Sequence, residues 1–200
     1  MGDITLAPLN AFVCLKPIKS RVEFNRGDGM GVEEHRKKAP KRFRFAVITV
    51  SDTASRGEKE DGSGRFLVEE LEKAGHERVL YKVVPDERMG IIGAVVEAFE
   101  KGADVVVTSG GTGITSRDVT IESVRPLFDK ELTGFGEVFR LLSYEEIGTA
   151  AVMTRATAGI IRSSGRAMAV FCLPGSLGAA KTGIKIILRE AGHVLKHGRE

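Results

Sequence analysis

The chain has 200 residues, 42% of which are apolar, and this composition is typical of one globular domain with a core of its own. The net charge of +3 is too small to indicate a nucleic-acid partner, and no apolar run reaches the roughly 18 residues of a membrane-spanning helix. Cys14 and Cys172 are too few for a disulfide scaffold or a zinc cluster, and the first residues show no secretory signal. We therefore expect a cytoplasmic protein without membrane or nucleic-acid partners.

The N-terminal part of the sequence has no hydrophobic periodicity, because prolines and glycines interrupt it repeatedly. Its most charged stretch is HRKKAPKRFR (35–44), which is typical of a solvated basic arm. We therefore divide the chain into an irregular basic extension, 1–41, and an α/β domain, 42–200. Because Met30 opens a segment that resembles a protein start, we also hypothesise that residues 1–29 derive from an upstream start codon.

Strand and helix patterns alternate in the rest of the chain. Continuous apolar runs predict strands at 43–50, 78–84, 104–109 and 167–173. Helical spacing predicts a helix that Ser63 or Gly64 opens and Gly75 ends, a helix over 87–102, shorter helical segments at 120–128 and 134–148, and a last helix over 177–195. Alternation of this kind predicts a parallel sheet with helices on both faces.

Apolar side chains define the expected inner faces of two of these helices. In the helix over 87–102 they are Met89, Ile92, Val95, Val96 and Phe99. In the last helix they are Leu177, Ala180, Ile184, Ile187, Leu188, Ala191 and Leu195.

Four unusual loops follow the predicted strands: SDTASRGEKEDGSG, PDE, SGGTGITSRD and LPGSLGAAK. Parallel α/β sheets bind their ligands at the carboxyl ends of the strands. We therefore expect these loops to meet at one edge of the sheet and to form a single site.

The glycine loop Ser109, Gly110, Gly111, Thr112 and Gly113 can direct several backbone N–H groups toward one anion. It lacks the lysine of a Walker A loop, and Ser116 stands where a dinucleotide-binding loop has its third glycine. The structural alternative is a tight turn that needs glycine. Three glycines and two hydroxyl residues at the end of a strand favour a phosphate-binding loop.

Asp52, Asp86 and Asp118 each follow one of these strands or loops. Each of these carboxylates could simply cap a helix by accepting a nearby backbone N–H. Carboxylates beside a phosphate loop repel the phosphate unless a metal ion lies between them, and Mg²⁺ prefers hard oxygen ligands. The sequence therefore indicates a site for Mg²⁺ and phosphate.

The loop Pro174, Gly175 and Ser176 opens the last helix, where Ser176 could cap the helix or contact a phosphate. We expect Lys181, one turn further on, to be solvated. No histidine stands at a recognisable spacing from a serine or cysteine nucleophile, so the sequence disfavours acyl transfer.

Several of these motifs together resemble the molybdenum-cofactor biosynthesis proteins of the MoaB/MogA type, with MoaB the more similar. The resemblance runs from about residue 42 to the C-terminus, and its motifs occur in the family's order: VSD (50–52), DGSG (61–64), VPDE (84–87), TSGGTG (108–113), RDVT (117–120), GFGE (134–137) and LPGS (173–176).

The resemblance implies a three-layer α/β/α sandwich with a mostly parallel sheet, assembled as a homotrimer or homohexamer. It implies that ATP adenylylates molybdopterin with Mg²⁺ as cofactor, that Asp86 and Asp118 are catalytic and hold the metal, and that the downstream metal-insertion protein is a further partner. Substrate and nucleotide binding is expected at Ser51, Asp52, Ser109, Gly110, Gly111, Thr112, Gly113, Arg117, Glu137, Pro174, Gly175 and Ser176.

Two other functions stay open at this point. The same domain occurs in gephyrin-type scaffolds, so the chain could bind molybdopterin with weak or no catalysis. A related domain also occurs in CinA-type nucleotide-pyrophosphate hydrolases, although this chain shows no additional hydrolase domain. The sequence does not distinguish molybdenum from tungsten as the metal inserted later.

Overall fold

The computed structural model describes residues 39–200, and the expectations for residues 1–38 lie outside them. This part of the chain contains six strands and six α-helices. Their order is β1 (Arg44–Val50), α1 (Asp52–Ser55), α2 (Gly62–Lys73), β2 (Glu77–Val84), α3 (Arg88–Glu100), β3 (Val105–Ser109), α4 (Thr120–Val124), β4 (Lys130–Glu131), α5 (Thr133–Ile147), β5 (Thr157–Ser163), β6 (Arg166–Leu173) and α6 (Leu177–Gly198). Two 3₁₀ turns, Arg125–Leu127 and Gly148–Met153, follow α4 and α5.

The strands form one sheet in the order β2-β1-β3-β6-β5-β4. The first four strands in this order are parallel, whereas β5 and β4 are antiparallel to their neighbours. The prediction of a mostly parallel sheet is confirmed. The two antiparallel strands at one edge were not predicted, since residues 157–163 combine a short apolar core with polar ends.

Helices cover both faces of the sheet, which confirms the three-layer sandwich. On one face, α2, α5 and α6 pack on the sheet around Phe45, Phe139 and Phe171. On the other face, α3 and α4 pack around Ile48, Ile91 and Val170. Both cores are fully buried at their centres, so the sheet is a rigid platform for the loops at its carboxyl edge.

Helix α2 begins at Gly62, and its N-cap is Asp61, whose side chain accepts the Gly64 N–H. The prediction that Ser63 or Gly64 opens this helix was therefore wrong by one or two residues, because Asp61 caps it. Gly75 follows the C-cap with a φ of 86°, which confirms it as the glycine that ends the helix.

The inner face of α3 agrees only in part with the predicted one: Val95 is buried and Phe99 packs against the core, as predicted, whereas other positions differ. Its buried residues are Ile91, Ala94, Val95 and Ala98, while Met89 is 80% exposed and Val96 also faces outward. Small alanines let the helix lie close to the sheet, and Ala94 and Ala98 share the inner face with Ile91 and Val95. In α6 most of the predicted stripe is buried, but Leu177 and Leu188 are exposed.

Cys172 is fully buried in β6, and burial raises the pKa of its thiol to about 12, as expected for a small apolar core residue. None of the helices described for residues 39–200 has the length and hydropathy that a membrane crossing requires.

Candidate functional site

The loops after β1, β2, β3 and β6 meet at the carboxyl edge of the sheet, as predicted, and enclose a cavity of about 800 Å³. Strand β1 lies between β2 and β3 in the sheet. The next strand along the chain, β2, is therefore on one side of β1, and the strand after that, β3, is on the other side. Such a reversal separates the neighbouring loops and creates a binding crevice in α/β sheets.

The glycine loop, residues 109–113, lines this cavity. Gly110 and Gly111 have φ angles of 110° and 61°, in the region that favours glycine. A Cβ on Gly110 would lie 2.1 Å from the Val50 carbonyl oxygen, and one on Gly111 would lie 2.4 Å from Thr120 Oγ1. The loop therefore combines unusual backbone angles with close packing, and both require glycine.

Asp86 lines the same cavity and does not cap a helix. The N-cap of α3 is Glu87, which makes no side-chain capping bond. Instead, Asp86 Oδ2 accepts the Asp52 N–H at 2.8 Å, and Asp52 Oδ1 accepts the Asp86 N–H at 3.1 Å. Burial raises the pKa of the Asp86 carboxyl, and the charges of Asp52 and Asp118 act in the same direction.

Asp118 also lines the cavity, with its carboxylate against Gly113. Its Oδ2 accepts hydrogen bonds from Thr115 N at 2.9 Å and Thr115 Oγ1 at 2.6 Å. Helix α4 begins two residues later at Thr120 without a side-chain cap, so the capping alternative is wrong here as well. The hydroxyl of Thr115 lowers the pKa of Asp118, and Arg155 contributes to this shift.

Asp52 and Arg117 lie beside the cavity and bind each other. Arg117 Nη2 and Nε donate to Asp52 Oδ2 at 2.6 and 3.1 Å, and this contact lowers the pKa of Asp52. Since Asp52 also holds Asp86, these two residues support the carboxylate that faces the cavity.

Ser51, Pro174, Gly175 and Ser176 line the cavity as predicted. Ser51 caps α1 and Ser176 caps α6, so the capping interpretation of Ser176 is also supported. A Cβ on Gly175 would lie 3.1 Å from Gly110 Cα, which shows that the two glycine loops pack directly on each other. Lys181 is exposed, as expected.

Three of the predicted site residues, Asp52, Arg117 and Glu137, do not line the cavity, and Glu137 lies in a separate space. It lines a smaller cleft of about 250 Å³ together with Arg125, Arg140 and Arg155. Arg155 lines both spaces, so the cleft and the cavity share one wall.

Sequence reasoning did not identify Arg155 as a site residue. Its Nη1 donates to the Gly113 carbonyl oxygen at 2.7 Å, and its Nη2 pairs with Glu122. It therefore links the glycine loop to α4. An isolated arginine after a 3₁₀ turn belongs to no recognisable motif, and only the tertiary structure brings it to the loop.

The donor set of the cavity fits a magnesium ion that arrives with a phosphate ligand. Asp86 Oδ1 and Asp118 Oδ2 lie 2.9 and 2.7 Å from the positions of a Cβ on Gly111 and Gly113, so both carboxylates face the same loop. Within residues 39–200 no three His, Cys, Asp or Glu side chains converge on a metal position. Mg²⁺ needs only one or two carboxylates when phosphates and water complete its shell.

The chemistry of the cavity is that of anion binding rather than nucleophilic attack by a side chain. It offers backbone N–H groups, the N-terminus of α6, the cations of Lys59 and Arg155 and four carboxylates, among them Asp86 and Asp118, and no histidine or cysteine of residues 39–200 lines it. Such a site can hold phosphate groups and a metal ion close together.

Known proteins with similar sequences are described as binding or adenylylating molybdopterin, or as acting in molybdenum cofactor biosynthesis. Residues 46–194 match the family model described as "Probable molybdopterin binding domain". The chain is 63% identical over 171 residues to a molybdopterin adenylyltransferase of Pyrococcus furiosus, a match that covers 86% of this chain and 100% of the relative. It is 48% identical over 174 residues to molybdenum cofactor biosynthesis protein B of Bacillus subtilis, covering 86% of this chain and 99% of the relative.

Solved structures give the same result. The tungsten cofactor synthesizing protein MoaB from Pyrococcus furiosus superposes with a TM-score of 0.78 at 61% identity, covering 81% of this chain and 100% of that one. A MogA structure superposes with a TM-score of 0.70 at 28% identity, covering 77% of this chain and 98% of that one. The chain therefore belongs to the MoaB/MogA family of molybdenum-cofactor biosynthesis proteins.

Proposed function

We propose that this protein is a molybdopterin adenylyltransferase that acts in the biosynthesis of a molybdenum or tungsten cofactor. The terminal phosphate of molybdopterin attacks the α-phosphorus of ATP. A new P–O bond forms as the bond between the α-phosphorus and its bridging oxygen breaks, and pyrophosphate leaves with the electron pair. The observation that carries the proposal is the pair of carboxylates, Asp86 and Asp118, held against one glycine loop.

The attacking phosphate is already an anion, so the reaction needs no strong general base. This requirement agrees with a cavity that no histidine of the described residues lines. The main difficulty is to bring two polyanions together. The backbone N–H groups of Gly111 and Thr112 and the first turn of α6 would bind phosphate oxygens, while hydrogen bonds from Thr115 favour the ionised form of Asp118.

We propose that Asp86 and Asp118 hold Mg²⁺, whose positive charge would neutralise the phosphates of ATP when it is bound. Asp52 and Arg117 keep Asp86 in place through the reciprocal hydrogen bonds between residues 52 and 86. Glu137 stays a proposed binding residue of the neighbouring cleft, within reach of a ligand group that extends past Arg155.

Release of pyrophosphate from ATP and Mg²⁺, with and without molybdopterin, tests the proposal. We expect molybdopterin-dependent release by the wild type and a loss of at least about a hundredfold in Asp118→Asn, comparable to removing one key electrostatic group. Glu69→Gln, on the solvent side of α2, is the matched control and should keep full activity. Tight molybdopterin binding without release would instead indicate a binding or scaffold protein.

We propose that the protein works in the cytoplasm, where its substrate ATP is available, as a homo-oligomer, either a trimer or a hexamer. Support comes from an apolar face, defined as the exposed side chains of α5 and the following 3₁₀ turn: Val138, Leu141, Tyr144, Ile147, Val152 and Met153. Contiguous exposed apolar side chains of this kind mark interfaces. The downstream metal-insertion protein is the proposed receiver of the adenylylated product.

A further inference from the structure

A buried carboxylate that the proposed reaction does not use lies behind the glycine loop. Asp61 is only 8% exposed and stands at the N-terminus of α2. Its Oδ1 accepts the Gly64 N–H at 2.8 Å, and its Oδ2 accepts the Tyr81 hydroxyl at 2.7 Å and the hydroxyl of Thr49. The carboxylate thus connects β1, β2 and α2 at the floor of the cavity.

The hydrogen bonds that Asp61 accepts within residues 39–200 all come from neutral donors, and Arg65 lies close enough to the Tyr81 hydroxyl to act on the pKa of Tyr81. The network packs closely against Gly64, because a Cβ there would lie 2.1 Å from Thr49 Oγ1 and 2.2 Å from Asp61 Oδ2. Burial and the hydrogen bond to Asp61 raise the pKa of Tyr81 to about 12, so its proton stays on the phenol.

A pair of serines connects Asp61 to the glycine loop. Ser63 Oγ donates to Asp61 Oδ1 at 3.4 Å, and Ser109 Oγ donates to Ser63 Oγ at 3.0 Å. Ser109 is fully buried and is the last residue of β3, directly before Gly110. The Ser109 hydroxyl is therefore linked to the Asp61 carboxylate through the hydroxyl of Ser63.

We propose that Asp61 is a positioning residue for the glycine loop, acting through Ser63 on Ser109. The four donors saturate its two oxygens, so Asp61 itself is not a ligand-binding group. Its charge orders the serine pair, and the serine pair fixes the first residue of the loop, while the Gly110 N–H is bound to the Leu173 carbonyl oxygen on the other side. This inference rests on the proposed function, in which the loop binds phosphate.

Two variants distinguish the effect of the Asp61 charge from the effect of the hydrogen bond between Ser63 and Ser109. Asp61→Asn keeps the volume and the helix cap, because an asparagine oxygen also accepts the Gly64 N–H, but it removes the charge. Ser63→Ala keeps the charge and removes the hydroxyl that reaches Ser109. Tyr81→Phe removes a donor on the far side of the carboxylate and serves as the control for a purely structural effect.

The test is the binding of inorganic pyrophosphate with Mg²⁺, measured by calorimetry on the full chain and its variants. We expect Asp61→Asn and Ser63→Ala each to weaken binding about fivefold to tenfold, as for loss of one ordered hydrogen bond. The double variant should bind no more weakly than the weaker single variant, because both changes break one path. Tyr81→Phe should lower the melting temperature and leave the affinity within about twofold of wild type.

Three results would overturn the inference: binding of both single variants within about twofold of wild type, additive losses in the double variant, or no pyrophosphate binding by the wild type. Pyrophosphate binding does not depend on whether molybdopterin is adenylylated. A wild type that binds pyrophosphate but releases none from ATP in the presence of molybdopterin would contradict the proposed function, and the affinities of the wild type and its four variants would still decide the role of Asp61.

Discussion

Asp86 and Asp118 bring the same negative charge to the cavity, but their surroundings act on that charge in opposite directions. Burial, together with two neighbouring carboxylates, raises the pKa of Asp86. Hydrogen bonds from Thr115 lower the pKa of Asp118. Folding therefore disfavours the charged form of the first residue and favours the charged form of the second.

Asp86→Asn should abolish molybdopterin-dependent pyrophosphate release and at the same time raise the melting temperature at pH 7. The asparagine oxygen can still accept the Asp52 N–H, while the unfavourable charge is removed. Since the folded pKa is raised, the penalty grows as pH increases from about 3.8 through the folded value. The advantage of the variant over wild type should therefore shrink between pH 7 and pH 4, and a constant advantage would contradict this assignment.

Asp118→Asn should have the opposite effect on stability and lower the free energy of unfolding at pH 7. The loss should be about 1 kcal/mol or less, because Asp118 is partly exposed. The lowered pKa means that the ionised carboxylate contributes stability above about 3.8, which is lost as pH falls through the folded value. Urea unfolding at pH 7 and pH 4 would measure both variants together. A gain in stability from Asp118→Asn would show that Thr115 does not stabilise the charge.

Much of the site could be predicted from the sequence because its residues are polar or glycine at the ends of apolar strands. Asp86, Asp118 and the glycine loop all lie on the cavity. Arg155 could not be predicted, since it reaches the loop from a segment 42 residues away. Asp61 stood within a recognisable motif, yet its buried network with Thr49 and Tyr81 depends on the pairing of β1 with β2.

At the scale of single elements, composition predicted strands better than helix faces. The buried parallel strands β1, β3 and β6 are continuous apolar runs, and they were found within a residue or so. In α3 nearly every residue is apolar or small, so the pattern cannot show which side meets the sheet. Tertiary packing decides, and it places alanine on the inner face and Met89 in solvent.

Glycine has two different roles in these elements, and a pair of variants separates them. Gly113→Ala should lower activity at least about tenfold, because its Cβ would lie 2.7 Å from Asp118 Oδ2 and displace the carboxylate. Gly93→Ala, in the middle of α3 with no atom within 4 Å of its Cβ, should keep full activity and stabilise the fold by about 0.5–1 kcal/mol. Activity and thermal unfolding of both proteins would measure this, and an active Gly113→Ala would show that the carboxylate tolerates displacement.

At the scale of the whole molecule, the cavity and the apolar face are not independent. Ile147 and Met153 belong to the apolar face of α5 and its 3₁₀ turn and also line the cavity. If a second copy of the chain covers this face, it also buttresses one wall of the site. Assembly and ligand affinity should then change together.

Leu141→Glu tests this coupling, because Leu141 lies on the apolar face, is 57% exposed and does not line the cavity. A buried, unpaired carboxylate at an interface is strongly unfavourable, so the variant should have a smaller mass in light scattering than the wild type. Its affinity for molybdopterin should fall as well, while its melting temperature at high dilution should match that of the wild type. Met89→Glu is the matched control, since Met89 is exposed on α3 in the opposite layer of the sandwich. A wild type that stays monomeric at every concentration would contradict the proposed homo-oligomer. A variant with a smaller assembly and unchanged affinity for molybdopterin would show that each subunit carries a complete site.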